Sequence, residues 1–167
     1  MRRFLIHSLV CLIALAVFPA AGAAQVAIGF GGVAYDPNQP VEVTANSLTI
    51  DQTTGEAVFD GNVLVVQGDL RMAAGRVRVL YSDSTGRNEV QEVVATGGVL
   101  VTRGADAAEG GEARYNVATA VLTMRGDVLV TQGGTAVAGD QLVVNMRTGN
   151  GSVDGRVRTV LDTGGSE

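Results

Sequence analysis

The residues able to do chemistry are few, and their positions narrow the options. The sequence of 167 residues holds one His and one Cys. Both His7 and Cys11 fall inside an N-terminal stretch that reads as a leader. It opens Met1-Arg2-Arg3, runs apolar from Phe4 to Phe18 and turns small at Ala20-Ala21-Gly22-Ala23-Ala24. A positive start, a short apolar run and a small-residue end describe a cleavable signal peptide. The cut is expected after Ala23 or Ala24. The apolar run is shorter than the roughly 20 residues a membrane span needs.

Removal of residues 1–24 leaves a single domain, 25–167, with no His, no Cys and no Lys. Its cations are ten Arg, against 17 acids, for a net charge near −7. Nucleophilic triads, Cys/His zinc sites and Lys Schiff bases are thereby excluded. No P-loop is present. An acidic chain without Lys is also a poor nucleic-acid binder.

The remaining polar groupings are weak. The acids supply many possible carboxylate pairs for glycoside cleavage, but none recurs in a conspicuous cluster. Asp106, Glu109 and Glu112 lack the dense ligand ladder of a calcium loop. The Arg71, Arg76, Arg78 group suits either phosphate or, more simply, a solvated face paired with acids such as Asp69. No metal and no cofactor is expected, and the chain does not read as an enzyme.

The elements that would carry any site repeat. Gly61 to Gly68 (GNVLVVQG), Gly97 to Gly104 (GGVLVTRG) and Gly126 to Gly133 (GDVLVTQG) share one pattern, with a worn fourth copy from Gly155. A second motif alternates with it, at Asn46 to Ile50, Gly75 to Val79, Gly111 to Tyr115 and Asp140 to Val144. The spacings give a 29-residue unit of two strands, used four times, at about 46–74, 75–110, 111–139 and 140–167. Seven extra residues in the second copy fall around 82–88.

Alternating apolar positions rich in Val and Thr predict strands. The inward phase of the second motif is Leu48, Ile50, Val77, Val79, Ala113, Tyr115, Leu142 and Val144. That of the first is Phe59, Gly61, Val63, Val65, then Val93, Ala95, Gly97, Val99, Val101, then Leu122, Met124, Gly126, Val128, Val130. Gly at the same place in each long strand predicts a bend there. Leu64, Leu100 and Leu129 fall on the opposite face, so both faces of these strands are candidates for cover. Eight or more strands could close as a barrel or stack as a roll or solenoid around an apolar interior.

The run Val90-x-x-Val93-x-Ala95-x-Gly97-x-Val99-x-Val101, the A-x-G-x-x-A-x-Y run from Ala108 to Tyr115 and the repeated G-[ND]-V-L-V-x-Q-G resemble the OstA-like domain family of LptA-type lipopolysaccharide transport proteins. The resemblance spans roughly Pro40 to Leu161. It implies an all-β, open, twisted antiparallel β-roll of the β-jellyroll kind, in the periplasm. It also implies a non-enzymatic role in which an apolar groove shields the acyl chains of lipopolysaccharide (lipid A).

End-to-end joining, with itself or with LptC-like and LptD-like proteins, would extend the groove between the membranes. The groove lining it implies is Leu48, Ile50, Phe59, Val63, Val65, Val77, Val79, Val99, Val101, Tyr115, Met124, Val128, Val130, Leu142 and Val144. Val26 to Phe30 and Pro40 to Val43 are expected at one edge, and Val157 to Leu161 at the other. The alternatives are an LptC-like member that keeps its N-terminal anchor, an exported β-repeat protein acting on or binding carbohydrate, and a structural polymer.

Overall fold

The computed structural model describes residues 39–82 and 89–161. The leader, the Val26 to Phe30 stretch and the extra residues 83–88 lie outside the described residues. Ten strands form a single antiparallel sheet, with no helix among the described residues: β1 Glu42–Thr44, β2 Ser47–Asp51, β3 Glu56–Gln67, β4 Leu70–Ser82, β5 Glu89–Arg103, β6 Asp106–Asn116, β7 Val121–Gln132, β8 Thr135–Asn145, β9 Gly151–Asp154 and β10 Arg158–Leu161.

The order is that of a meander, β1-β3-β4-β5-β6-β7-β8-β10, with β2 also on β3 and β9 also on β8. β1 and β10 do not pair, so the sheet is open and not a barrel.

Two glycine positions build this shape. The Gly that ends each first motif (Gly68, Gly104, Gly133) has φ between +55° and +59° and starts a two-residue hairpin turn, as Gln67↔Leu70, Arg103↔Asp106 and Gln132↔Thr135 pair across it. A left-handed residue at the first central position matches the strand twist in such turns. The Gly that opens the motif bends the strand. Gly61 and Asn62, Gly97 and Gly98, and Gly126 and Asp127 all have positive φ, and the register slips between Asp60 and Val63, Thr96 and Val99, and Arg125 and Val128. Asn and Asp tolerate this conformation better than other side-chain-bearing residues, which explains the G-[ND]-V consensus. The worn copy keeps the device: Gly155 and Arg156 have φ of 75° and 39° and separate β9 from β10.

Every long strand therefore has two arms. β1 pairs with the second arm of β3 and β2 with the first; β10 and β9 divide β8 likewise. One contiguous cluster contains Val63, Val101 and Val130 from the arms next to the hairpin turns, and Val77, Ala113 and Leu142 from the other arms. Among the described residues no other element is available to cover them. The sheet is folded along its line of bulges, and its two halves bury each other.

The bend corrects the expected phase at two places. Gly97 and Gly126 are exposed bulge residues and not inward positions. In β4, β6 and β8 the inward phase changes parity at the bend. Val77 and Val79 face in beyond it, but Met72 and Ala74 face in before it; Ala113 and Tyr115 are matched by Ala108, and Leu142 and Val144 by Val137.

Candidate functional site

Two cross-strand rows make the interior. The first runs Leu48–Phe59–Val77–Ala95–Ala113–Met124–Leu142–Val153. The facing row runs Val43–Val65–Met72–Val101–Ala108–Val130–Val137–Thr159. Each pair sits at the cross-strand spacing at which side chains touch, so the rows are apolar stripes along the roll, interrupted only where the second ends at exposed Thr159.

The fifteen residues expected to line a groove all belong to this inner surface, with unequal exposure. Val63, Val77, Val99, Val101, Met124, Val128, Val130, Leu142 and Val144 are buried, at 4% exposure or less. Phe59, Val65, Val79 and Tyr115 are half-buried. Leu48 and Ile50 are exposed, at 51% and 65%. The stripe is thus closed in its middle and uncovered where it reaches β2.

Sequence reasoning missed the inner residues on the near side of the parity change: Leu70, Met72, Ala74, Ala108 and Val137. The signal was present in the A-x-G-x-x-A-x-Y run, whose spacing of three between Gly110 and Ala113 is the phase shift itself.

The rim of the inner surface beside the hairpin turns is polar. Gln67, Arg103 and Gln132 occupy the same position in successive repeats. Gln67 Nε2 donates to the Gln39 carbonyl (3.0 Å), Arg103 Nε to Asp69 (3.3 Å) and Gln132 Nε2 to Asp106 (3.3 Å). Arg103 is the buried charged residue among those described, at 7% exposure.

Asp69 therefore serves Arg103, not the Arg71, Arg76, Arg78 group. On the outer face Arg76 pairs with Asp60 and Arg78 with Glu56 (3.8 Å), while Arg114 pairs with Glu92 and Glu112 (2.8 and 3.7 Å). The Arg156 guanidinium donates to Asp140 (2.6 Å), and that hydrogen bond holds the Asp140 carboxyl below its ordinary range. The backbone N–H groups of Thr53 and Thr54 do the same for Asp51 in the β2–β3 turn.

Outward Leu64, Leu100 and Leu129 are each 37–40% exposed, so the outer face is open at these positions, although outward Val94, between Arg78 and Arg114, is buried. A hollow of about 760 Å³ runs along the bend, lined by Leu64, Leu100, Glu109 and Asp127 among others. Among the described residues no three acidic side chains converge on a possible ion site. Asp106 faces the inner rim, and Glu109 and Glu112 belong to the outward phase.

Residues 42–150 match a family profile described as LptA/(LptD N-terminal domain) LPS transport protein. An uncharacterised protein of Rhizobium meliloti (strain 1021) is 29% identical over 140 residues, covering 78% of this chain and 75% of that one. Among solved structures, the fold resembles that of LptH, the LptA-homologous periplasmic component of the lipopolysaccharide transport device from Pseudomonas aeruginosa. The TM-score is 0.66 at 20% identity, over 74% of this chain and 96% of that chain.

Proposed function

This chain belongs to the LptA/LptD N-terminal-domain family of lipopolysaccharide transport proteins, and on that premise we propose that it shields lipid A acyl chains in the periplasm along its apolar interior. The family is one of transport proteins, not enzymes. The observation that carries the reading is the pair of inner rows, apolar from strand to strand and uncovered at Leu48 and Ile50. A buried methylene contributes about 0.8 kcal/mol, so several acyl chains need no catalytic group to be held. The closed middle is displaced as the two halves part around the lipid, with the bulge line as hinge. Chains enter at the β2 end, and the fifteen inner residues named above are their contacts.

The same reading covers export and assembly. Residues 1–24 are removed as a signal peptide. Protomers join end to end, or to LptC-like and LptD-like partners, by strand addition at β1/β2 and β9/β10. Main-chain hydrogen bonds at an open edge supply such a joint. Val41, Leu48 and Ile50 at one end, and Val157, Val160 and Leu161 at the other, are exposed, and joining would cover them. A joint between unlike edges propagates head to tail, as an open filament wherever its rotation does not close a ring.

The test uses the phase of the strands. A photo-crosslinking residue is placed at inward Val128, at inward Leu48 and at outward Arg76 in the exported protein. Lipopolysaccharide adducts are expected at 48 and 128 and not at 76. Well-folded protein with no adduct at either inward position would end the lipid-carriage reading.

A further inference from the structure

The two outermost strands of the sheet carry the frame of the internal repeat. β1/β2 and β9/β10 each pair on one side only, with β3 and β8. Each is broken in step with its neighbour. Asn46 separates β1 from β2, and its N–H donates to the Gly61 carbonyl (2.9 Å). Gly155 separates β9 from β10, and its carbonyl accepts from the Asp140 N–H (3.1 Å).

Shared partners show which positions are equivalent. Arg158 and Leu129 both oppose Ala138, and Val153 and Met124 both oppose Leu142. At the other edge Thr44 and Ala73 both oppose Leu64, and Leu48 and Val77 both oppose Phe59. Thus β9/β10 stands as a strand of the first motif, and β1/β2 as a strand of the second. Within the chain such strands pair as Leu64↔Ala73, Val65↔Met72 and Phe59↔Val77. Carried onto a second copy, that frame sets Arg158 against its Thr44, Thr159 against its Val43 and Val153 against its Leu48. The antiparallel alternation of the sheet is kept. Both interior rows run on, Leu142–Val153 into Leu48–Phe59 and Val137–Thr159 into Val43–Val65. Leu48, 51% exposed in the single chain, gains the neighbour it lacks.

Charge agrees with this placement. The outward position that is Leu64, Leu100 or Leu129 in three copies is Arg158 in the fourth. In this frame it lies diagonal to Glu42 of the second copy, a separation that long side chains span. Both residues are exposed, and neither forms an ion pair among the described residues.

We propose that the β1/β2 edge takes the β9/β10 edge of a second copy in the register of the internal repeat, with Val153 on Leu48, Thr159 on Val43 and Arg158 beside Glu42. The inference rests on the end-to-end joining proposed above and adds its register and its charge pair. Apolar phase alone does not select that register, since a slip of two residues keeps the same face inward. The bends select it. Only one alignment sets Gly155 and Arg156 against Asn46 as Gly61 and Asn62 are set against Gly75.

Residues 25–167 contain no Cys, so introduced thiols report the joint without background. Mature Thr159→Cys protein is mixed with Val41→Cys, Val43→Cys or Ala45→Cys protein and oxidised. The three partner positions share a phase, and each reports one register. Directly opposed residues meet the Cα separation a disulfide needs, whereas a two-residue offset exceeds it. The link is expected with 43, and a dominant link with 41 or 45 overturns the register. Val153→Cys mixed with Leu48→Cys gives the same reading on the other row, independently of whether Val43→Cys folds.

Charge reversal tests the pair. Arg158→Glu and Glu42→Arg should each weaken self-association roughly two- to fivefold at low salt. Mixing the two should restore it, because both mixed joints bring opposite charges together. No weakening in either variant, or no restoration on mixing, overturns the charge pair. Self-association that persists with none of these links places the joint elsewhere and overturns the proposal. Natural protein that stays monomeric at every concentration removes self-joining itself and this register with it, and lipid carriage by single protomers would survive that result.

Discussion

Two stretches of one cross-strand row behave differently although their residues share a phase. At β7 and β8, Met124 and Leu142 have no exposed surface. At β2 and β3, Leu48 is half exposed and its partner Phe59 only partly covered. Nothing in the local pattern separates them, since each is an inward apolar residue on a strand of the same repeat. What differs is the number of neighbours: a central row position has strands on both sides and the folded-over half above it, whereas an edge position lacks one side. The centre is where the fold is held together and the edge is where apolar surface is left over. That asymmetry gives the repeat both a core and an uncovered apolar edge.

The sharpest way to break the comparison is at its centre. Met124→Ala removes a side chain with no exposed surface, and such changes cost about 2–5 kcal/mol. Urea unfolding should show the midpoint fall accordingly, and Leu48→Ala should lose much less. Equal losses at the two positions would mean that the edge is covered after all. The bend comes next. Gly126 has φ +83° and a Cβ there would meet Gly111 Cα at 3.4 Å, so Gly126→Val should cost about 1–3 kcal/mol through backbone strain. Gly98→Asn should be nearly neutral in the same assay, because Asn62 occupies the equivalent place with φ 48°.

At the edges the expected effect moves from stability to association. Ile50→Asp and Leu161→Asp change exposed positions and should alter unfolding by less than about 0.5 kcal/mol. If protomers join as proposed, sedimentation velocity should nonetheless show that neither variant self-associates alone, and that mixing the two restores a dimer but no longer chain, because one joint then has both edges intact. The smallest effect concerns Asp140, whose folded carboxyl is depressed by the hydrogen bond from Arg156 and by that cation's charge. A depressed carboxyl contributes stability above its unfolded pKa and loses it as pH falls through its folded value. An NMR titration should place Asp140 below an ordinary aspartate, and Asp140→Asn should lower stability slightly at neutral pH while flattening its fall on the acid limb.

Much of this was legible in the sequence because the physics that sets it is local. Alternation of Val, Leu and Thr fixes strands, the repeated Gly fixes both the turns and the bend, and the interval of 29 fixes how the strands align. The parity change at Gly75, Gly110 and Gly139 was harder to see, since a bulge on one strand changes which side chains its neighbour turns inward. Met72, Ala108 and Val137 were hidden for that reason, although the uneven spacing from Gly110 to Ala113 recorded the shift. Arg103 was hidden for another: a single Arg in a [QR] column reads as surface until its burial is known. The difference between Leu48 and Leu142 is not local at all, because cover is decided by strands far away in the chain.

The bend repeated in every long strand also acts as a ruler. Because each unit folds at the same point, adding or losing one leaves the cross-section of the roll unaltered and changes only its reach. Two strand spacings of about 4.8 Å give close to 10 Å per unit. Duplication of this segment would lengthen the roll in fixed steps, much as adding sections lengthens a beam without altering its profile.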